Sequence, residues 1–344
     1  MKARLLTMVV LGGVVFAHLP AAMAATVSVS LPKSGRSAMP PNGGRDYFEH
    51  RRALQKRLVD VGYRISAVAA SECGSRRASL PVILEQAGQF EPAMLAAAGF
   101  AEGDLLPRVV AIAAGSAAAQ AGLAQGDALV LWSPDISPAD RAPSFANVER
   151  AVSALESQGR RATGGPPDQA MTITVVRAGA RLEMTVPMDF GCGAWFDLAQ
   201  SAQVMAASTT RWIQVSEGMM RLFDGDDDGL AFVVAHEFGH RALRLKPGGA
   251  EASCSTSCEM DADRLGLMFL RKAGFVIDRA PEALRTIAAS RRGFLDWRPA
   301  QLRKRAAVLQ DLVNRMRDDD SPSERRLTRR SVLSSDSMVG TTQR

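Results

Sequence analysis

"AHEFGH", Ala235 to His240, places two of the chain's four histidines four positions apart, with a glutamate beside the first. An α-helix turns about 100° per residue, so His236 and His240 fall about 40° apart on one face, with Glu237 one step round. This is the H-E-x-x-H arrangement, in which two neutral imidazoles bind zinc and the glutamate takes a proton from water. The flanking residues favour a helix. Asp228 can cap its start, Leu230, Phe232, Val233 and Val234 supply a face to bury, and Lys246-Pro247-Gly248-Gly249 ends it. The competing reading is a pair of core histidines with no ion between them.

A catalytic zinc takes three protein ligands and leaves its fourth place to water. Apart from His18 near the start of the chain, the only other histidine is His50, in a distant helical stretch, so a carboxylate is the better candidate. "CEMDADRLG" begins at Cys258, and Thr256 with Glu259 has capping-box spacing for a new helix. Glu259 and Asp263, four apart, then share one face. Glu259 is read as the third ligand and Asp263 as the acceptor for a ligand imidazole N–H, which would fix its tautomer. One zinc ion per chain is the cofactor expected.

The ends of the chain set the compartment. Lys2 and Arg4 precede an apolar run from Leu5 to Ala17, and Ala22-Met23-Ala24 offers small residues for cleavage. Residues 1–24 read as a secretory signal cut after Ala24, which makes the protein periplasmic or secreted. Membrane association is expected only through an uncleaved signal, since no later stretch reaches the roughly 20 apolar residues of a spanning helix. The net charge of +6 is mild and diffuse, and makes no case for nucleic acid. Residues 25–44 read as a flexible lead-in. Within 45–79, Phe48, Leu54, Leu58, Val61 and Ile65 recur at helical spacing from Asp46 to about Ala70, which predicts one long amphipathic helix packed on a neighbouring domain. The tail, 317–344, is polar and expected to be disordered.

Residues 80–190 have a different texture. "PRVVAIAAGSAAAQAGLAQGDALVLW", Pro107 to Trp132, reads as a strand, a turn at Gly115-Ser116, a short Ala-rich helix, a turn at Gly122, and a strand opened by Gly126-Asp127. Thr172 to Val186 adds a hairpin around Ala178-Gly179-Ala180. The Gly-Ser, Ala-Gly-Leu and Gly-Asp elements resemble a PDZ domain of bacterial periplasmic proteases. That resemblance implies a module that adds extended peptides to a sheet edge. Cys73, Cys192, Cys254 and Cys258 allow three disulfide connectivities in an oxidising compartment. Cys73 with Cys192 and Cys254 with Cys258 is favoured, because the first bridge ties the two ends of this inserted domain. Cys254 would then lie just before its helix begins, since an i, i+4 bridge fits poorly inside a regular helix.

His236-Glu237-Phe238-Gly239-His240 followed by Glu259-Met260-Asp261-Ala262-Asp263 resembles the gluzincin metallopeptidases of the HtpX, BepA and CAAX prenyl protease type, which pair H-E-x-x-H with E-x-x-A-D on the next helix. The resemblance implies an α+β chain: a mainly helical peptidase core over 191–316 with a short edge sheet, plus the inserted β-rich PDZ-like domain. It also implies hydrolysis of peptide bonds in protein or peptide substrates, including unfolded or misassembled envelope proteins. By similarity the strand at Arg211 to Val215 is the edge that aligns the substrate backbone. Three positions depart from the pattern. Gly229 stands where an acidic residue is frequent, Trp297-Arg298-Pro299 replaces Thr-His-Pro, and Arg305 is about one position off the register of the usual arginine. "DGDDDG", Asp224 to Gly229, opens like a calcium loop but has Ala235 where the bidentate glutamate belongs, so it reads as an acidic loop and cap. The alternative function is a non-catalytic PDZ adaptor or chaperone on a degenerate peptidase fold.

Overall fold

The N-terminal periodicity becomes helix α1, Gly44–Ala69, with Phe48, Leu54, Leu58, Val61 and Ile65 all buried. Burying that stripe at about 1.5–3 kcal/mol per large side chain is what holds so long a helix to the domain. The computed structural model describes residues 44–74, 77–130, 170–187, 189–246, 254–290 and 298–320. The expected signal, nearly all of the lead-in and the tail from 321 onward lie outside the described residues.

After α1 the chain enters the insertion through β1 (Arg77–Ser79) and leaves it through β7 (Asp189–Gly191), and these two strands pair antiparallel. The Cys73–Cys192 bridge closes the same point, with both cysteines buried. Sealing a loop of this length contributes about 4–5 kcal/mol on a chain-entropy account. Between them lie β2 (Val82–Glu85), β3 (Arg108–Ile112), β4 (Ala128–Leu129), β5 (Ala170–Arg177) and β6 (Ala180–Pro187), one antiparallel sheet in the order β2-β3-β4-β5-β6. Two short helices, α2 (Leu95–Ala98) and α3 (Ala117–Gln120), complete the described part, and the Ser116 hydroxyl accepts the Ala119 N–H to start α3. The β5–β6 turn at Ala178-Gly179 has positive φ at both residues, the twist that a two-residue hairpin needs. Val82, Val109, Leu129, Ile173 and Val175 of this sheet form an apolar cluster that also takes in Trp195 and Trp212.

The second half builds a small sheet and a helical stack, so the chain is α+β. Strands β8 (Trp195–Ala199), β9 (Ala206–Ser208) and β10 (Trp212–Ser216) lie in the order β8-β10-β9, with β10 parallel to β8 and antiparallel to β9. The strand expected as the edge, Arg211 to Val215, is therefore central. All five residues of β10 are buried, which is what a central strand covered on both faces requires. The edges are β8 and β9, and the three residues of β9 carry too little apolar signal to be read as a strand. Helices α4 (Glu217–Leu222), α5 (Asp227–Leu245), α6 (Thr256–Lys272), α7 (Arg279–Ser290) and α8 (Arg298–Asp320) follow.

Three boundaries differ from expectation. Asp226, not Asp228, caps α5 by accepting the Gly229 N–H, while Asp228 accepts the Val276 N–H and ties α5 to the segment before α7. Ser255, not Thr256, caps α6 through the Cys258 N–H, which frees Glu259 from the capping box. Helix α8 runs past Met316 to Asp320, and Arg317 pairs with Asp278 in its last turns.

A buried polar cluster docks the insertion. Arg51 on α1 reaches Glu85 on β2 (3.1 Å), Glu217 on α4 (2.6 Å) and the Leu198 carbonyl on β8 (2.7 Å), while Arg52 and Gln55 also bond Glu85. Burial alone would raise the Glu85 pKa, but Arg51 and Arg52 outweigh it and hold the carboxyl below its ordinary value. A depressed carboxylate stabilises the fold above its unfolded pKa, about 4.3, and that contribution is lost as pH falls through the folded value. Glu85→Gln is accordingly expected to cost about 3–5 kcal/mol at pH 7, with the difference from wild type shrinking below about pH 4, as read by denaturant unfolding across pH.

Candidate metal centre

Helices α5 and α6 bring His236, His240 and Glu259 together because their backbones nearly touch. A Cβ added to Gly239 would lie 2.5 Å from the Ala262 carbonyl oxygen, and one added to Gly266 would lie 3.0 Å from the His236 amide nitrogen. A side chain is excluded at Gly239 without a backbone shift, and one at Gly266 would be tight against the His236 backbone. His236 and His240 stand edge to face, ring centroids 4.5 Å apart. Their Nε2 atoms lie 3.5 and 3.4 Å from the two carboxylate oxygens of Glu259. Donors about 2.1 Å from a tetrahedral ion are separated by about 3.4 Å, so these three side chains have the spacing to hold one.

The two imidazoles are steadied differently. Asp263 Oδ1 lies 2.9 Å from His236 Nδ1, close enough to pair with the ring on the side away from Glu259. His240 Nδ1 faces sulfur instead, 3.5 Å from Cys254 and 3.9 Å from Cys258, which are bridged to each other. Cys254 precedes α6, as the geometry of an i, i+4 bridge demands. Burial disfavours the His236 imidazolium, but Asp263 and Glu259 outweigh it and push its pKa up to about 9. Burial also opposes the Glu259 charge, yet His236, His240 and Arg305 hold it well below the usual carboxylate range. An ion binding here would displace the His236 proton.

Arg305, for which the sequence supported no firm role, proves integral to this cluster. Its guanidinium grips Asp263 through two bonds of 2.7 Å and Glu259 through a third of 2.7 Å. The available signal was its position: Leu302, Arg305 and Leu309 follow one face of α8, so this arginine interrupts an apolar stripe. The departure at Gly229 has a steric cause, since a Cβ there would lie 2.5 Å from the Asp226 carboxylate and 2.7 Å from the Phe223 ring.

A cleft of about 500 Å³ opens over these residues. Ala206 to Ser208 of β9 form one wall, Leu284, Ile287 and Leu302 add apolar surface, and Glu237 lies on its lining beside His236. Arg244, one turn after His240, donates to the Ser208 carbonyl (2.9 Å) and hydroxyl (3.0 Å), fastening the edge strand to α5. Neither Arg244 nor β9 was singled out from the sequence. No protein-family model, curated protein or solved structure matches the chain.

Two substitutions test this geometry. Gly239→Ala is expected to cost about 1–3 kcal/mol by overpacking the helix crossing, measured by thermal or denaturant unfolding. Arg305→Ala leaves the Asp263 carboxylate buried against one imidazole and is expected to cost about 3 kcal/mol, with Arg305→Lys intermediate because an ammonium cannot grip Asp263 with a planar fork.

Proposed function

We propose that this chain is a zinc-dependent endopeptidase with an inserted PDZ-like domain. The observation that carries the reading is the convergence of both imidazole Nε2 atoms on the Glu259 carboxylate at the separations of a tetrahedral ion, with Glu237 lining the same cleft. The gluzincin resemblance at Glu259 to Asp263 points the same way. Zinc held by His236, His240 and Glu259 supplies Lewis acidity for water activation and carbonyl polarisation.

The chain's own residues divide the remaining work. Glu237 accepts the proton of the attacking water and returns it to the leaving amide nitrogen. Asp263 orients His236, and Arg305 holds Asp263 and Glu259 in register, so the ligand set is organised before substrate arrives. Among the described residues strand β9 pairs with β10 on one side only, and its residues line the cleft, which suits it to hydrogen-bond an extended substrate. The apolar wall at Leu284, Ile287 and Leu302 suits an apolar side chain of that substrate.

The insertion's order of strand, Gly-Ser turn, short helix, glycine turn and strand supports the PDZ-like reading, and with it recruitment of unfolded or misassembled envelope proteins. Two disulfides are compatible with an oxidising compartment. Among the described residues no helix is long and apolar enough to cross a membrane.

The test is cleavage of casein and of quenched peptide pools by zinc-loaded wild type and Glu237→Gln. Glu237→Gln is expected to retain zinc, counted by elemental analysis, and to lose about 10²–10⁴-fold in kcat. Zinc-loaded wild type that cuts no faster than this variant would return the chain to the adaptor reading.

A further inference from the structure

We propose that Cys254, Cys258 and His240 form a second, thiolate metal site, opened when the Cys254–Cys258 disulfide is reduced. The two sulfurs lie 3.5 and 3.9 Å from His240 Nδ1. An imidazole nitrogen about 2.1 Å and a thiolate about 2.3 Å from one tetrahedral ion are separated by about 3.6 Å, close to both values. All three ligand atoms lie within 4.8 Å of one another, and Cys254 and His240 line the cleft, so an ion has a path in. The bridged cysteines have Cα atoms 5.4 Å apart, which lets the sulfurs part around an ion without moving the backbone far.

The chemistry balances with a dithiol donor. Its two thiols become a disulfide, the protein S–S bond becomes two S–H groups, and binding of a divalent ion to both sulfurs releases two protons. His240 couples this site to the other. A neutral imidazole offers one lone pair, so an ion on Nδ1 excludes an ion on Nε2, where Glu259 stands 3.4 Å away. Reduction therefore draws His240 out of the His236–His240–Glu259 set and leaves that set one ligand short. With the bridge closed, the sulfurs are only weak acceptors for an Nδ1–H, the tautomer that keeps Nε2 free. The thiolate site stands on its own geometry; the loss of peptidase activity on reduction rests on the function proposed above.

Cobalt(II) separates the two sites by colour, because only thiolate ligation gives an intense sulfur-to-cobalt absorption in the near ultraviolet. Metal-free full-length protein is titrated with cobalt before and after treatment with a dithiol, which is removed by anaerobic desalting. The oxidised protein is expected to show no sulfur band and the reduced protein a strong one. The band is expected to vanish in Cys254→Ser/Cys258→Ser, which keeps Cys73 and Cys192, and its half-saturation to shift to higher cobalt in His240→Ala. Circular dichroism confirms that each variant is folded. A reduced wild type without the band overturns the proposal, as does an unchanged band in either variant. Failure of the oxidised protein to bind cobalt at all would count against the peptidase reading alone, since the thiolate band is read independently.

Discussion

The near-contact of α5 with α6 is the constraint on which the candidate site depends. Three ligands from two helices can meet one ion only if the helix axes are close, and the two crossings are closed by Gly239 against Ala262 and by Gly266 against the His236 backbone. An alanine at either glycine would be a better helix former by about 1 kcal/mol. The chain forgoes that gain twice, in the middle of its helices. The consequence is that Glu259, from the first turn of α6, reaches across to both Nε2 atoms.

Such a site is costly to assemble, and its surroundings show how that cost is offset. Two imidazoles and two carboxylates, of which His240 and Asp263 are buried and His236 and Glu259 partly so, share a small volume with the Arg305 guanidinium. Burial opposes each charge separately, while mutual attraction favours them together, so no member is stable there without its partners. Arg305 is central to that balance because it touches both Glu259 and Asp263. The two imidazoles are not equivalent either. His236 is backed by a carboxylate and so made a stronger donor, whereas His240 is backed by sulfur, whose character changes with oxidation state.

Much of this was legible in the chain because it rests on local periodicity. The 3.6-residue spacing placed His236 beside His240 and Glu259 beside Asp263, and the N-terminal stripe marked α1 almost to the residue. What escaped were features set by tertiary position. Trp212 to Ser216 reads as a strand in any setting, and nothing local says whether it is central or at an edge. Ala206 to Ser208 is too short and too small in its side chains to announce itself, although it forms the edge that lines the cleft. Caps shifted by one or two residues for a related reason. Asp226, Asp227 and Asp228 are equally good caps in isolation, and their roles are divided by distant partners: Arg279 holds Asp226, Arg57 holds Asp227, and the Val276 amide takes Asp228. Arg305 was visible as a charge on an apolar stripe, but its meaning appears only when α8 meets α6.

The insertion is fastened to the rest of the chain more firmly than a single entry and exit would require. Its two ends are joined by a bridge and a strand pair, and its first sheet strand sends Glu85 to Arg51. That same arginine holds Glu217 at the start of α4, and Met219, two residues further along α4, lines the cleft. A short path of contacts thus runs from the insertion's sheet through α1 and α4 to the wall of the cleft over His236, His240 and Glu259. Swinging the insertion away would break the Glu85 bonds to Arg51, Arg52 and Gln55 and leave Arg51 with Glu217 and the Leu198 carbonyl, a larger cost than losing a surface ion pair. The insertion is therefore a fixed base beside the cleft, and under the function proposed above a peptide segment captured on it would meet Glu237 from a constant distance.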